Sequence, residues 1–159
     1  MRRLLPALPL GLLACTACDR SSSPPADPAP FRIEVLEVTP CPAPPGLDTT
    51  KTRVLGVRVR VESNHSRGVP ANYFYGSVLA TDRSRYLAEL PGCSPVLSGA
   101  PLYAGEHADG FLNFPVPLNK QIDSLVYAPR LGGAANQESS LSVALASSPT
   151  APPAEEDEQ

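Results

Sequence analysis

Four thiols and two imidazoles carry most of the chemistry this sequence could offer: Cys15, Cys18, Cys41 and Cys93, with His65 and His107. A zinc site takes three or four such ligands at short, characteristic spacings. The two histidines fall in different expected loops, with no His/Cys/Asp cluster around either, so both read as surface residues. Glu106-His107-x-Asp109 comes nearest to a polar cluster, and an exposed turn accounts for it. Asp82-Arg-Ser-Arg85 has the outline of a calcium loop, but its arginines would repel the ion. Cys15-Thr-Ala-Cys18 has redox-pair spacing, yet it lies in the apolar amino-terminal segment rather than after a strand at a helix start. Neither a Gly-x-Ser-x-Gly elbow nor a phosphate-cradling glycine loop occurs. The expectation is a protein that is not an enzyme and has no metal or cofactor.

The amino terminus is more specific. Met1-Arg-Arg-Leu-Leu-Pro-Ala-Leu-Pro-Leu-Gly-Leu-Leu-Ala-Cys15 has a basic start, an apolar middle and a small-residue exit. That is the three-part form of a secretory signal. It is too short to span a bilayer, which takes about 20 apolar residues. Leu12-Leu13-Ala14-Cys15 resembles the lipobox of bacterial lipoproteins, in which the cysteine thiol receives a diacylglycerol and the peptide is cut just before it. The resemblance implies a lipoprotein signal peptide over 1–14 and lipidation, palmitate included, at Cys15. Cys18 is the alternative: Ala17 precedes it, but Cys15 stands where a leucine is usual. Two or more acyl chains anchor stably, at about 0.8 kcal/mol per buried methylene. The implied place is the bacterial cell envelope, with the membrane as partner through the lipid.

Export also bears on the other thiols, because oxidising compartments favour disulfides. Cys41 and Cys93 each sit beside proline or glycine in an expected loop, and they are predicted to pair. Cys18 is then left free in the tether or available to another chain.

Composition divides the 159 residues into parts. Residues 15–30, rich in proline and serine, read as a semi-stiff tether. Residues 147–159, ending Glu-Glu-Asp-Glu-Gln, cannot build a core and read as a disordered acidic tail. Between them, Phe31 to Ala146 is long enough for one stable domain. Ten basic and ten acidic residues balance within it, which gives poor steering toward nucleic acid.

Within the domain the apolar period is two. In Arg53-Val-Leu-Gly-Val-Arg-Val-Arg-Val-Glu62, Leu55, Val57, Val59 and Val61 share one face while Arg58, Arg60 and Glu62 share the other. Further strands are expected at Phe31–Val38, Asn72–Thr81, Arg85–Ala88, Ala108–Val116, Ile122–Ala128 and Ser140–Ala146. In the first, the inward phase slips from Ile33 and Val35 to Leu36 and Val38, which suggests a bulge. Pro115 favours an edge or strand-terminal place. Proline and glycine interrupt every candidate helix. About seven short strands point to an all-β, immunoglobulin-like antiparallel β-sandwich, with a small closed barrel as the alternative.

Four blocks then run in order along the domain: Val57-x-Val59-x-Val61-x-x-Asn64; Leu79, Asp82 and Tyr86; Gly105-Glu106-x-x-x-Gly110-x-x-x-Phe114-x-Val116-Pro117; and Leu125-x-Tyr127-x-Pro129. Together they resemble a widespread bacterial family of small immunoglobulin-like secreted and lipoprotein domains of unknown function. That family is akin to a secreted immunogenic mycobacterial antigen. The resemblance implies a β-sandwich and export, and it carries no known activity. Ala104 departs from it, since the family usually has proline there. Read for themselves, Gly105 suits a turn with positive φ, Gly110 a strand start where another chain passes close, and Phe114 and Tyr127 the core.

The functional expectation is a non-catalytic envelope domain that binds a protein or other ligand or has a structural role. Of the adjacent Tyr73, Phe74 and Tyr75, strand alternation would expose at least one, which makes Tyr73 and Tyr75 a candidate partner surface. The rival is an envelope hydrolase or metal-dependent enzyme, which would need His107 and Asp109 grouped with a second histidine.

Overall fold

A computed structural model describes residues 29–131 and 140–145. Among the described residues, seven strands follow one another: β1 (Phe31–Cys41), β2 (Thr52–Ser63), β3 (Gly76–Ala80), β4 (Arg85–Leu87), β5 (His107–Pro117), β6 (Ile122–Tyr127) and β7 (Leu141–Ala144). They form two antiparallel sheets, one ordered β1-β2-β5 and the other β4-β3-β6-β7. The fold is an all-β sandwich.

Alternation decides which side of each strand meets the other sheet. On β2, Leu55, Val57, Val59 and Val61 are all buried, and their β5 neighbours Leu112 and Phe114 are fully enclosed with them. Phe31, Val78, Leu125 and Tyr127 complete the centre of the core. Each such apolar side chain contributes roughly 1.5–3 kcal/mol by leaving water. The opposite faces differ from each other. Beyond the three-stranded sheet, Glu34, Arg60 and Asp109 form one cross-strand row, and Arg32, Glu62 and His107 the next. Beyond the four-stranded sheet, the rows Leu87–Ser77–Val126–Ser142 and Arg85–Leu79–Ser124–Ala144 hold a single charge.

The bulge in β1 is present, where the register shifts between Val35 and Glu37. Leu36, expected inward, is instead the extra residue and points outward, 39% exposed, because the unpaired position of a bulge lies off the ladder; Val38 alone resumes the inward phase. β5 is the outer strand of its sheet and contains Pro115. Its rim is covered: Phe111 N–H donates to Pro95 O at 2.8 Å, and Leu97 N–H donates to Phe111 O at 3.0 Å.

One expected strand starts late. Tyr73–Tyr75 form a single 3₁₀ turn, and β3 begins only at Gly76. Three bonds explain this. Asn72 N–H donates to the Tyr127 hydroxyl at 3.0 Å, Tyr73 N–H to Leu97 O at 2.8 Å and Tyr75 N–H to Asn72 O at 3.3 Å. With those amides engaged elsewhere, the segment cannot donate to the ladder that β3 forms with β6, although Tyr75 O still accepts from Ala128 N–H at 3.0 Å. The Tyr127 hydroxyl in turn donates to Pro70 O at 3.0 Å, so a fully buried ring holds both chain directions at this corner. Burial pushes that hydroxyl's pKa well above the usual tyrosine value. Tyr127→Phe leaves the Asn72 amide without its acceptor and should cost about 1–3 kcal/mol by urea unfolding.

The chain enters and leaves at opposite ends of the sandwich. At entry, Asn64 N–H donates to Pro30 O at 2.9 Å, and Phe31 packs edge-on against Tyr127 with ring centres 5.9 Å apart. At the other end lie the turns after β1, β3 and β5. There Leu118 N–H donates to Lys51 O at 2.9 Å, and the Lys120 ammonium pairs with Asp82. Leu145, the last described residue, joins that end through Asp123 O at 2.8 Å.

Candidate functional site

The Cys41–Cys93 disulfide is formed, with the two Cα atoms 5.1 Å apart. It joins the end of β1 to the irregular segment after β4, and it lies over the outer face of β2 at Gly56. A Cβ at Gly56 would stand 2.2 Å from Cys41 Sγ, so no side chain fits beneath the bridge. Asn113, next to Gly56 on β5 and only 1% exposed, clasps the same segment. Its Oδ1 accepts from Cys93 N–H at 2.9 Å, and its Nδ2 donates to Cys93 O at 3.1 Å. Glu89 N–H adds a bond to Asn113 O at 2.8 Å. Sequence reasoning found the two sulfurs and missed Asn113 and Gly56. The available signal was a polar residue at a position flanked by apolar ones on β5, opposite a glycine on β2.

Asp109 does not stand free. Arg60 Nε and Nη2 donate to its two carboxylate oxygens, each at 2.8 Å. The Arg60 guanidinium holds the Asp109 carboxyl below its usual pKa, and burial opposes it only in part. His107, two residues earlier on the same strand, is exposed. His65 lies in the turn after β2, where its Nδ1 accepts from Arg67 N–H at 3.0 Å. Among the described residues, no three His, Cys, Asp or Glu side chains are grouped so that they could hold a metal ion. Asp82 is taken up by Lys120 and by Ser84 N–H, and both depress its pKa.

The aromatic run does not lie as alternation would have it. Successive side chains of a 3₁₀ turn step by about a third of a revolution rather than half. The ring that reaches solvent is therefore Phe74, 56% exposed, whereas Tyr73 and Tyr75 lean against the core. Tyr75 meets the Tyr127 ring edge-on at 6.2 Å. The exposed aromatic expected of this segment exists, but it is not one of the tyrosines.

Gly105 has φ of +85° in the turn before β5, as its place in the sequence suggests. Gly110 lies against the backbone of Leu97, where an added Cβ would come within 2.4 Å of both Cα and N. Phe114 and Tyr127 are fully buried. Cys15 and Cys18 lie outside the described residues, as do the signal peptide at 1–14, most of the tether at 15–30 and the tail at 147–159. No helix among the described residues is long and apolar enough to cross a membrane.

No protein-family model matches the chain, and no curated protein matches it either. Two solved structures share the fold. The "putative lipoprotein" ycdA of Bacillus subtilis superposes with a TM-score of 0.62 at 19% identity, covering 74% of this chain. This chain spans only 36% of that protein's length. The yjhA protein of Bacillus subtilis superposes with a TM-score of 0.53 at 16% identity, covering 74% of this chain and 93% of the other. At these identities the likeness is one of fold: the sandwich is an architecture shared with these two bacterial proteins.

Proposed function

We propose that the chain is a lipid-anchored protein of the bacterial cell envelope, whose immunoglobulin-like sandwich binds a protein or other ligand or serves a structural role without catalysing a reaction. The observation that carries this reading is Leu12-Leu13-Ala14-Cys15 behind Arg2 and Arg3. The fold shared with a "putative lipoprotein" supports it, and so does a cystine of the kind exported domains favour. The resemblance of the four sequence blocks to small secreted domains points the same way. A non-catalytic role agrees with Asp109 being held by Arg60 rather than poised as a base.

Metabolic labelling with an alkynyl fatty acid tests the anchor. The wild-type chain should take up label and sediment with membranes, and so should Cys18→Ser. Cys15→Ser should lose the label, because no thiol is then left at that position to take the diacylglycerol. Label that survives Cys15→Ser and vanishes with Cys18→Ser would move the anchor to the second cysteine. An unlabelled wild-type chain free in the medium would overturn the reading.

A further inference from the structure

The two ends of the sandwich are not equivalent with respect to a tether at Cys15. Residues 29 and 30 are fixed to one end by the bonds from Asn64, whose Nδ2 also reaches Ala29 O at 3.4 Å. The reach from Cys15 to Ala29 is at most about 50 Å when fully drawn out. An eleven-residue strand such as β5 spans about 36 Å. Placing the opposite end on the membrane would make the tether run back along most of the molecule, taking up about 36 Å of its roughly 50 Å reach. Chain entropy opposes that arrangement, so the entry end is the one held near the lipid.

That end carries suitable groups. Tyr103 is 54% exposed in the turn before β5. Its backbone is locked on both sides: Tyr103 N–H donates to Glu106 Oε2 at 2.8 Å, and Glu106 N–H donates to Tyr103 O at 2.9 Å. Ser63 holds the same turn through Gly105 N–H at 2.9 Å, which places Tyr103 beside the Asn64–Gly68 loop and its exposed Arg67. Arg130, three residues past the end of β6, is also exposed. The one acid in the turn, Glu106, is engaged with the Tyr103 amide. A rigid amphipathic ring with cations beside it suits the headgroup layer, where aromatic side chains concentrate and arginines meet phosphate.

We infer that the entry end of the sandwich, formed by the Asn64–Gly68 loop and the Tyr103–Glu106 turn, is a lipid-contact surface with the Tyr103 ring seated among phospholipid headgroups. The inference rests on the anchor reading above. A contact too weak to recruit the free domain suffices here, because a tether that reaches makes the second contact intramolecular.

The chain contains no tryptophan, so single-tryptophan reporters are available. Tyr103→Trp marks the entry end and Leu118→Trp, at an exposed position, the opposite end. Each full-length acylated protein is placed on vesicles of phosphatidylcholine and phosphatidylglycerol, some of them brominated. Flotation reports the anchor, and bromine quenching reports contact. Both proteins should float, with the reporter at 103 losing about half its emission and the one at 118 losing almost none, given burial about 5–10 Å deep. Arg67→Glu should lower the quenching at 103. Flotation with equal or absent quenching at the two sites, or with quenching only at 118, overturns the lipid-contact surface and leaves the anchor standing. Failure to float overturns both.

Discussion

Replacing Cys41 and Cys93 together with serine should lower the unfolding free energy by about 4 kcal/mol, from loss of a cross-link that closes a loop of 52 residues' separation. A domain of this size has about 5–15 kcal/mol in total, so the variant should stay folded at low temperature and melt roughly 15 °C earlier. Denaturant titration with and without reductant checks it, and the wild-type protein under reductant should reproduce the variant's midpoint. A second substitution separates the bridge from its surroundings. Gly56→Ala pushes a methyl group into Cys41 Sγ and should destabilise the oxidised protein. In the double-serine background the same change meets a smaller, unbonded neighbour and should cost at least 1 kcal/mol less, a coupling that a double-mutant cycle reads directly. Additive effects would mean that Gly56 is constrained by something other than the disulfide.

Gly110→Val should cost about 3 kcal/mol, although valine is a better strand former than glycine. The new Cβ would fall 2.4 Å from the Cα and N of Leu97, and both are backbone atoms that cannot rotate away. Relief would require pulling the segment at Leu97 off β5. That breaks the Leu97 N–H bond to Phe111 O and uncovers Leu97, which is fully buried. Gly99→Val is the control. Nothing lies within 4 Å of its Cβ position, and a change of less than about 0.5 kcal/mol is expected there. Equal effects at 110 and 99 in chemical denaturation would refute the close approach.

What the sequence made legible were the parts governed by local rules. β2 reads off its valines because one face is in the core and the other in water, and the β1 bulge reads off the slip in that same pattern. Gly105 and Gly110 were legible because glycine in such a place answers to few causes. Long-range ties escaped notice. Nothing local in Tyr73-Phe-Tyr75 says that Asn72 will give its amide to Tyr127, distant in sequence, and so break the strand. The covering of β5 by the segment at Pro95–Leu97 is similar: a stretch rich in Pro, Gly and Ser has no period, and its course is set by Asn113, Phe111 and the disulfide. The candidate surface was half legible, since an exposed aromatic was foreseen within three residues, but the choice among them depended on the turn.

The slipped register of β1 has one more effect. An uninterrupted eleven-residue rim strand would offer its free amides and carbonyls to the same strand of a neighbour, the usual seed of fibril growth. The extra residue at Leu36 throws the spacing of those groups out of step, Pro40 withholds a proton, and the exposed Glu34 and Glu37 set like charges along the rim. Wherever molecules of this protein are crowded together, they carry a built-in bar to polymerising edge to edge. Excising Leu36 would remove much of that bar in a single step.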